Sequence, residues 1–214
     1  MPHPRKANDS EALLKIARVR IRAYLESMAL STKKIQPTES SKFHELLQEQ
    51  IKNEFEASQQ YIAVAVWFDD NDLPQLSRHF YRQALEERNH AMMIVQYLMD
   101  NDVKPRIPGV NEVRNDFDET RELVALALEQ EREVTQEITN LAKTARDDGD
   151  YLGEQFMQWF LKEQVEEVAQ MSTLLAVVDR ASGNLFDVEN FLARENVGDE
   201  GSDATAPAAA GGSV

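Results

Sequence analysis

SKFHELLQEQIKNEFEASQQYIAVAVWFDDND, residues 41–72, is the stretch that decides the fold. Leu47, Ile51, Glu54, Ser58, Tyr61, Ala65 and Phe68 follow one another at alternating steps of four and three residues. That spacing lines one face of an α-helix, so the segment presents a single inward seam. Ser41 is placed to cap the first turn. The run Asp69-Asp70-Asn71-Asp72 should end the helix, because short polar side chains compete for the backbone and favour turns.

The same reading extends in both directions. A second helix is expected from about Leu73 to Met99, with Pro74 in its first turn and Leu76, Phe80, Ala84, Glu87, Ala91, Ile94 and Leu98 along one face. Residues 101–117 hold two prolines and a glycine and read as a long connection. A third helix is expected over about 118–146, an acidic turn over 147–150, and a fourth helix over about 151–181. Ser182-Gly183-Asn184 stops the fourth, and a short amphipathic helix follows at about 185–195. From Gly198 the tail has almost nothing to bury and is expected to be disordered. Two hairpins joined by one crossover make an all-α, ferritin-like four-helix bundle with a short fifth helix. The crossover must cover about 40 Å at 1.5 Å per residue. Seventeen extended residues at ~3.3 Å each suffice.

Composition narrows the chemistry. The chain has 214 residues, 23 Lys and Arg, 38 Asp and Glu, and a formal charge of −15. Cysteine is absent, which excludes disulfides, cysteine-ligated zinc, iron–sulfur clusters and thiol catalysis. The charge is uneven: residues 1–34 carry eight basic and three acidic residues, and the remainder carries 15 and 35. An acidic body favours cationic partners and disfavours nucleic-acid phosphates. The longest apolar run, Tyr61–Phe68, is far shorter than the roughly 20 residues of a membrane span, and the N-terminus lacks a secretory core. A cytoplasmic protein with no membrane partner is expected. Three segments follow: a basic extension over 1–40, the bundle over 41–197 and the tail over 198–214. Residues 11–25 could form a short basic amphipathic helix through Leu14, Ala17, Ile21 and Tyr24. That extension reads as a solvated segment, an anion-binding arm, an address peptide, or an over-long start upstream of Met28.

Each long seam is interrupted by polar residues. Glu54 interrupts the first, Glu87 and His90 the second, Glu131 the third, and Gln164 and Glu167 the fourth. Glu54 to Glu87 is 33 residues, and so is Glu131 to Gln164, each pair straddling its acidic turn. Equal distances from a hairpin turn give equal heights, so the four meet at one level. Burying an ionised carboxylate without a partner is costly, and no Lys or Arg occupies these seam positions. Cations are the economical partners, and carboxylates with one imidazole suit iron or manganese. Glu86, Glu163 and Glu166 neighbour these positions as a second acidic layer, which reads as a solvated face, as a third cation site, or as a path leading ions from the paired one.

QEQIKNEFEASQQY (48–61), ALEERNHA (84–91), LEQERE (128–133) and FMQWFLKEQVEE (156–167) together resemble the ligand-bearing segments of bacterial non-haem ferritins. The resemblance spans about Lys42 to Glu195. It implies a first iron site at Glu54, Glu87 and His90. It implies a second at Glu131 and Glu167, with Glu87 bridging and Gln164 hydrogen-bonding within the centre. It further implies a third site at Glu86, Glu163, Glu166 and Glu167, and electron-supplying aromatics at Tyr61 and Trp159. The family implication is a ferroxidase that oxidises Fe(II) with dioxygen or hydrogen peroxide and stores ferric oxide in a hollow homo-24-mer. The short helix would lie near the four-fold axes, and Glu154 would line the three-fold channels. Bacterioferritins differ: they carry a second Glu-x-x-His where this chain has Gln164-x-x-Glu167, and a haem-ligating Met where this chain has Arg88, so no haem is expected. The competing classes are a peroxidase-like di-iron redox enzyme and a DNA-protecting mini-ferritin. The first usually adds a cysteine-ligated iron, and the second lacks the fifth helix.

Overall fold

The computed structural model describes residues 41–195 and 203–214. The extension over 1–40, with its expected helix at 11–25 and the alternative start at Met28, and the segment 196–202 lie outside the described residues. Among the described residues there are five helices and no strand: α1 Lys42–Asp70, α2 Pro74–Asp100, α3 Thr120–Asp147, α4 Tyr151–Ala181 and α5 Leu185–Glu195. α1 pairs with α2 and α3 with α4, and α1 also packs on α3. No helix among them is long and apolar enough to cross a membrane.

Helix ends follow local chemistry. The Ser41 side chain accepts from the His44 backbone N–H at 3.2 Å. At the first turn the chain reverses through Asp72 in the left-handed region (φ 56°), and Leu73 N donates to Phe68 O at 3.0 Å. Gly149 (φ 74°) serves the second turn, with Asp150 N donating to Ala145 O at 2.8 Å. The Asp148 carboxylate reaches across to the N-terminus of α1, accepting from Phe43 N at 3.1 Å.

The connection over 101–119 runs alongside α1, held by polar side chains on that helix. Arg106 N donates to Gln48 Oε1 at 2.8 Å and Asn111 N to Glu56 Oε1 at 2.9 Å. Gln60 pairs with both backbone groups of Arg114, and the Trp67 indole donates to Phe117 O at 3.2 Å. The partners on both segments ascend in number together, so the crossover returns the chain to the far end of the bundle. α5 is anchored by an unanticipated cap. The N-terminus of α2 has no side-chain cap of its own; instead Glu189 accepts from Gln75 N at 2.9 Å and Leu76 N at 3.0 Å. Val188 and Leu192 then bury against the bundle.

The core is divided. One apolar cluster holds Tyr61, Phe68, Phe80, Leu123, Leu174 and their neighbours. The other holds Phe43, Leu47, Ile51, Ile94, Ile138 and Phe160. Every long helix passes from one cluster to the other, and the polar seam residues lie between them.

The tail departs from its expected disorder over the described part, 203–214. The Asp203 carboxylate accepts from the Trp159 indole at 3.0 Å, Ala210 N donates to Met92 O at 3.0 Å, and Val214 N donates to Asn89 Oδ1 at 3.2 Å. Ala206, Ala209 and Ala210 pack on the second cluster. The physical reason is that small side chains let this backbone approach α2 closely enough to bond directly, while the Asp203 side chain meets α4. Reckoning apolar side-chain area alone misses that gain.

Candidate metal centre

The polar band between the two apolar clusters is built from all four long helices. Glu54, Glu87, His90, Glu131, Gln164 and Glu167 are buried, none exposing more than 4% of its surface. Ligand atoms of Glu54, Glu87 and His90 lie within 4.8 Å of one another, close enough to hold one cation. His90 Nδ1 sits 3.1 Å from Glu87 Oε2. The i, i+3 spacing on α2 puts both on one face.

On the other side of the centre, the Tyr61 phenol donates to Glu131 Oε1. Thr135, one turn beyond Glu131, places its hydroxyl 2.9 Å from Gln164 Oε1. The Gln164 amide works against the rise in the Glu131 carboxyl. Glu167, one turn after Gln164, completes the band.

The centre is under-neutralised. Glu54 Oε2, Glu131 Oε2 and Glu167 Oε2 are buried with no hydrogen-bond partner among the described residues. Burial, then the charge of Glu87, pushes the Glu54 carboxyl well above its ordinary range. Burial and then Glu131 do the same to Glu87. Burial, then Glu131 and Glu87, raise Glu167. Glu131 is raised by burial, against the opposing hydrogen bond from Tyr61. The Tyr61 phenol is itself pushed well up, by burial and then by Glu131. Such a group of carboxyls must hold either protons or cations, and three orphaned oxygens suit cations.

The second acidic layer is less uniform. Glu86 and Glu163 are half-buried, and their charges raise Glu87 and Glu167. Glu86 also accepts from Gln83. Glu166 is exposed and pairs with Lys162 at 3.4 Å, away from the centre. Trp159 meets His90 edge-on with ring centroids 5.6 Å apart. Glu154 is engaged by Arg146, whose Nε donates at 2.9 Å. Gln50 was not singled out by the sequence reading. It is buried, one turn before Glu54, and donates to Glu54 Oε1 at 3.0 Å. Its position four residues ahead on the same face was the available signal.

Bundle and centre together define a four-helix protein organised around a buried carboxylate–imidazole cluster that could hold a cation. A model of the ferritin-like domain matches residues 44–181. The chain is 64% identical over 174 residues to ferritin BfrB of Mycolicibacterium smegmatis, covering 81% of this chain and 96% of that one. It is 35% identical over 136 residues to a bacterial non-heme ferritin of Staphylococcus aureus, covering 64% and 82% respectively. Among solved structures, an open pore ferritin from the hyperthermophilic archaeon Archaeoglobus fulgidus matches with a TM-score of 0.70 and 25% identity, over 75% of this chain and 99% of that one. The chain belongs to the ferritin family.

Proposed function

We propose that this protein stores iron and is a ferroxidase. Fe(II) is its substrate, bound in pairs within each subunit, and the ferric product collects as oxide inside a hollow shell of 24 copies in the cytoplasm. One observation carries the reading: three buried carboxylates from three helices each keep an unpaired oxygen in a band that also holds Glu87 and His90.

Glu54 and His90 would hold the first iron, Glu131 and Glu167 the second, and Glu87 would bridge them. Two Fe(II) ions side by side supply two electrons together. With two protons these reduce dioxygen to hydrogen peroxide, or hydrogen peroxide to two waters. That is why a pair serves better than a single ion. The phenol of Tyr61 holds one oxygen of Glu131 and leaves the other for the metal, and Thr135 holds Gln164 in the same band. Iron competes with protons for these carboxylates, so its binding releases whatever protons they carry. A third cation position would draw on Glu86, Glu163 and Glu167, and Glu166 would join it by leaving Lys162. The division into an extension (1–40), a ferritin-like domain (41–197) and a tail (198–214) belongs to the same proposal.

The test loads the full-length chain with Fe(II) without oxygen, admits oxygen, and follows the fast oxidation phase and the iron retained on gel filtration. Glu54→Ala and His90→Ala should lose the fast phase. If either variant oxidised iron as fast as wild type, the centre would be assigned to the wrong residues.

A further inference from the structure

Gln50 does more than pack. It is 2% exposed, and its side-chain N–H donates to Glu54 Oε1 at 3.0 Å. The other oxygen of the same carboxylate, Oε2, is the one with no partner. The half-buried carboxylate of Glu137 on α3 lies close enough to Gln50 for the amide to favour its charged form. Glu137 is held from a second side, its Oε2 accepting from Asn53 Nδ2 at 3.0 Å. An amide between two carboxylates has one favourable orientation. Both neighbours are acceptors, so the NH2 group faces them and the amide oxygen turns away. A chain therefore runs from Asn53 and Glu137, through Gln50, to one chosen oxygen of Glu54.

We propose that Gln50 is a positioning residue for the cation centre: braced by Glu137, its amide occupies Glu54 Oε1 and presents Oε2 alone, making Glu54 a one-oxygen ligand. This rests on the reading of the centre as an iron site. A carboxylate free to rotate can chelate a cation through both oxygens and fill two coordination positions. Restricting Glu54 to one leaves a position on the first iron open to the oxidant. It also fixes the side chain before the metal arrives, because the ligand is already held by its neighbour. Glu137 does not touch the cation. It acts at one remove, by holding the amide that holds the ligand.

The test uses Co(II), a divalent stand-in that dioxygen leaves unoxidised here and whose visible absorption reports coordination number. The full-length protein, stripped of metal, is titrated with Co(II) as wild type, Gln50→Leu, Glu137→Leu and Glu137→Gln. Gln50→Leu releases Glu54 Oε1. The visible band per bound ion should then lose intensity and shift, as coordination number rises. Glu137→Leu should move the spectrum the same way through an unaltered Gln50. Glu137→Gln keeps an acceptor oxygen for the Gln50 amide, and its spectrum should return toward wild type. A purely structural role would change stability in all three variants and leave the spectrum unmoved. Wild-type spectra in both Gln50→Leu and Glu137→Leu would overturn the proposal, as would Glu137→Gln behaving like Glu137→Leu. Should Gln50→Leu fail to fold, the Glu137 pair decides alone. If wild type itself took up no Co(II) at Glu54, Glu87 and His90, the iron-site reading would fail instead.

Discussion

Tyr61→Phe isolates one contact of the centre without altering its shape. The ring is fully buried and packs against Phe80 with centroids 5.7 Å apart, so a phenylalanine keeps the packing and leaves no cavity. What is lost is the phenol donating to Glu131 Oε1. Glu131 Oε2 already lacks a partner among the described residues, so in the metal-free chain the substitution strips Oε1 of its phenol donor too. A buried hydrogen bond to a charged group contributes about 1.5–3 kcal/mol. We take ~2 kcal/mol here, which at a urea dependence of about 2 kcal/mol/M moves the unfolding midpoint down by about 1 M. Divalent cation bound at Glu131 should shrink that difference, since the metal then satisfies the oxygen. The assay is urea unfolding of chelated and Mn(II)-loaded protein, wild type against variant. Equal midpoints in the chelated proteins would refute the reasoning, because the phenol would then contribute nothing to Glu131. A deficit that grows on loading would refute it equally.

Three further outcomes are expected. The metal-free chain should lose stability as pH rises out of the ordinary glutamate range: burial raises Glu54, Glu87, Glu131 and Glu167 above their ordinary values, so the folded state binds more protons than the unfolded one between the two. Thermal unfolding of chelated protein across a pH series checks this, and Glu87→Gln should flatten the slope. Gly153→Ala should destabilise by about 1–2 kcal/mol despite the better helix propensity of Ala, because the added Cβ would run into the Phe43 ring in a packed core; denaturant unfolding measures it. Asp203→Ala should release the Trp159 indole from its acceptor; read in a Trp67→Phe background, tryptophan emission should move to longer wavelength and quench more readily with acrylamide.

The fold was legible because its signals were redundant. The seam of α1, the acidic turns and the equal 33-residue separations all pointed to one bundle, and the same spacing brought Glu54, Glu87 and His90 together. What stayed hidden depended on contacts distant in sequence. Glu189 caps a helix more than a hundred residues earlier, which no local pattern announces. Asp203 finds Trp159 only once α4 is folded. The tail's alanines carry no periodic signal, since one backbone bond from Ala210 to Met92 and small apolar contacts hold them. Glu166 shows the converse. Its spacing on α4 suited a third site, but Lys162 four residues earlier offers a competing partner on the exposed face. Gln50 shared the face of Glu54 and could have been read from spacing, yet only the structure shows which carboxylate oxygen it occupies.

The most direct test of the account is diffraction at the iron absorption edge from crystals of the full-length protein loaded with Fe(II) in the absence of oxygen. Two adjacent anomalous peaks are expected in each subunit, one bounded by Glu54, Glu87 and His90 and the other by Glu87, Glu131 and Glu167. Iron bound elsewhere, with no peak between these side chains, would contradict it.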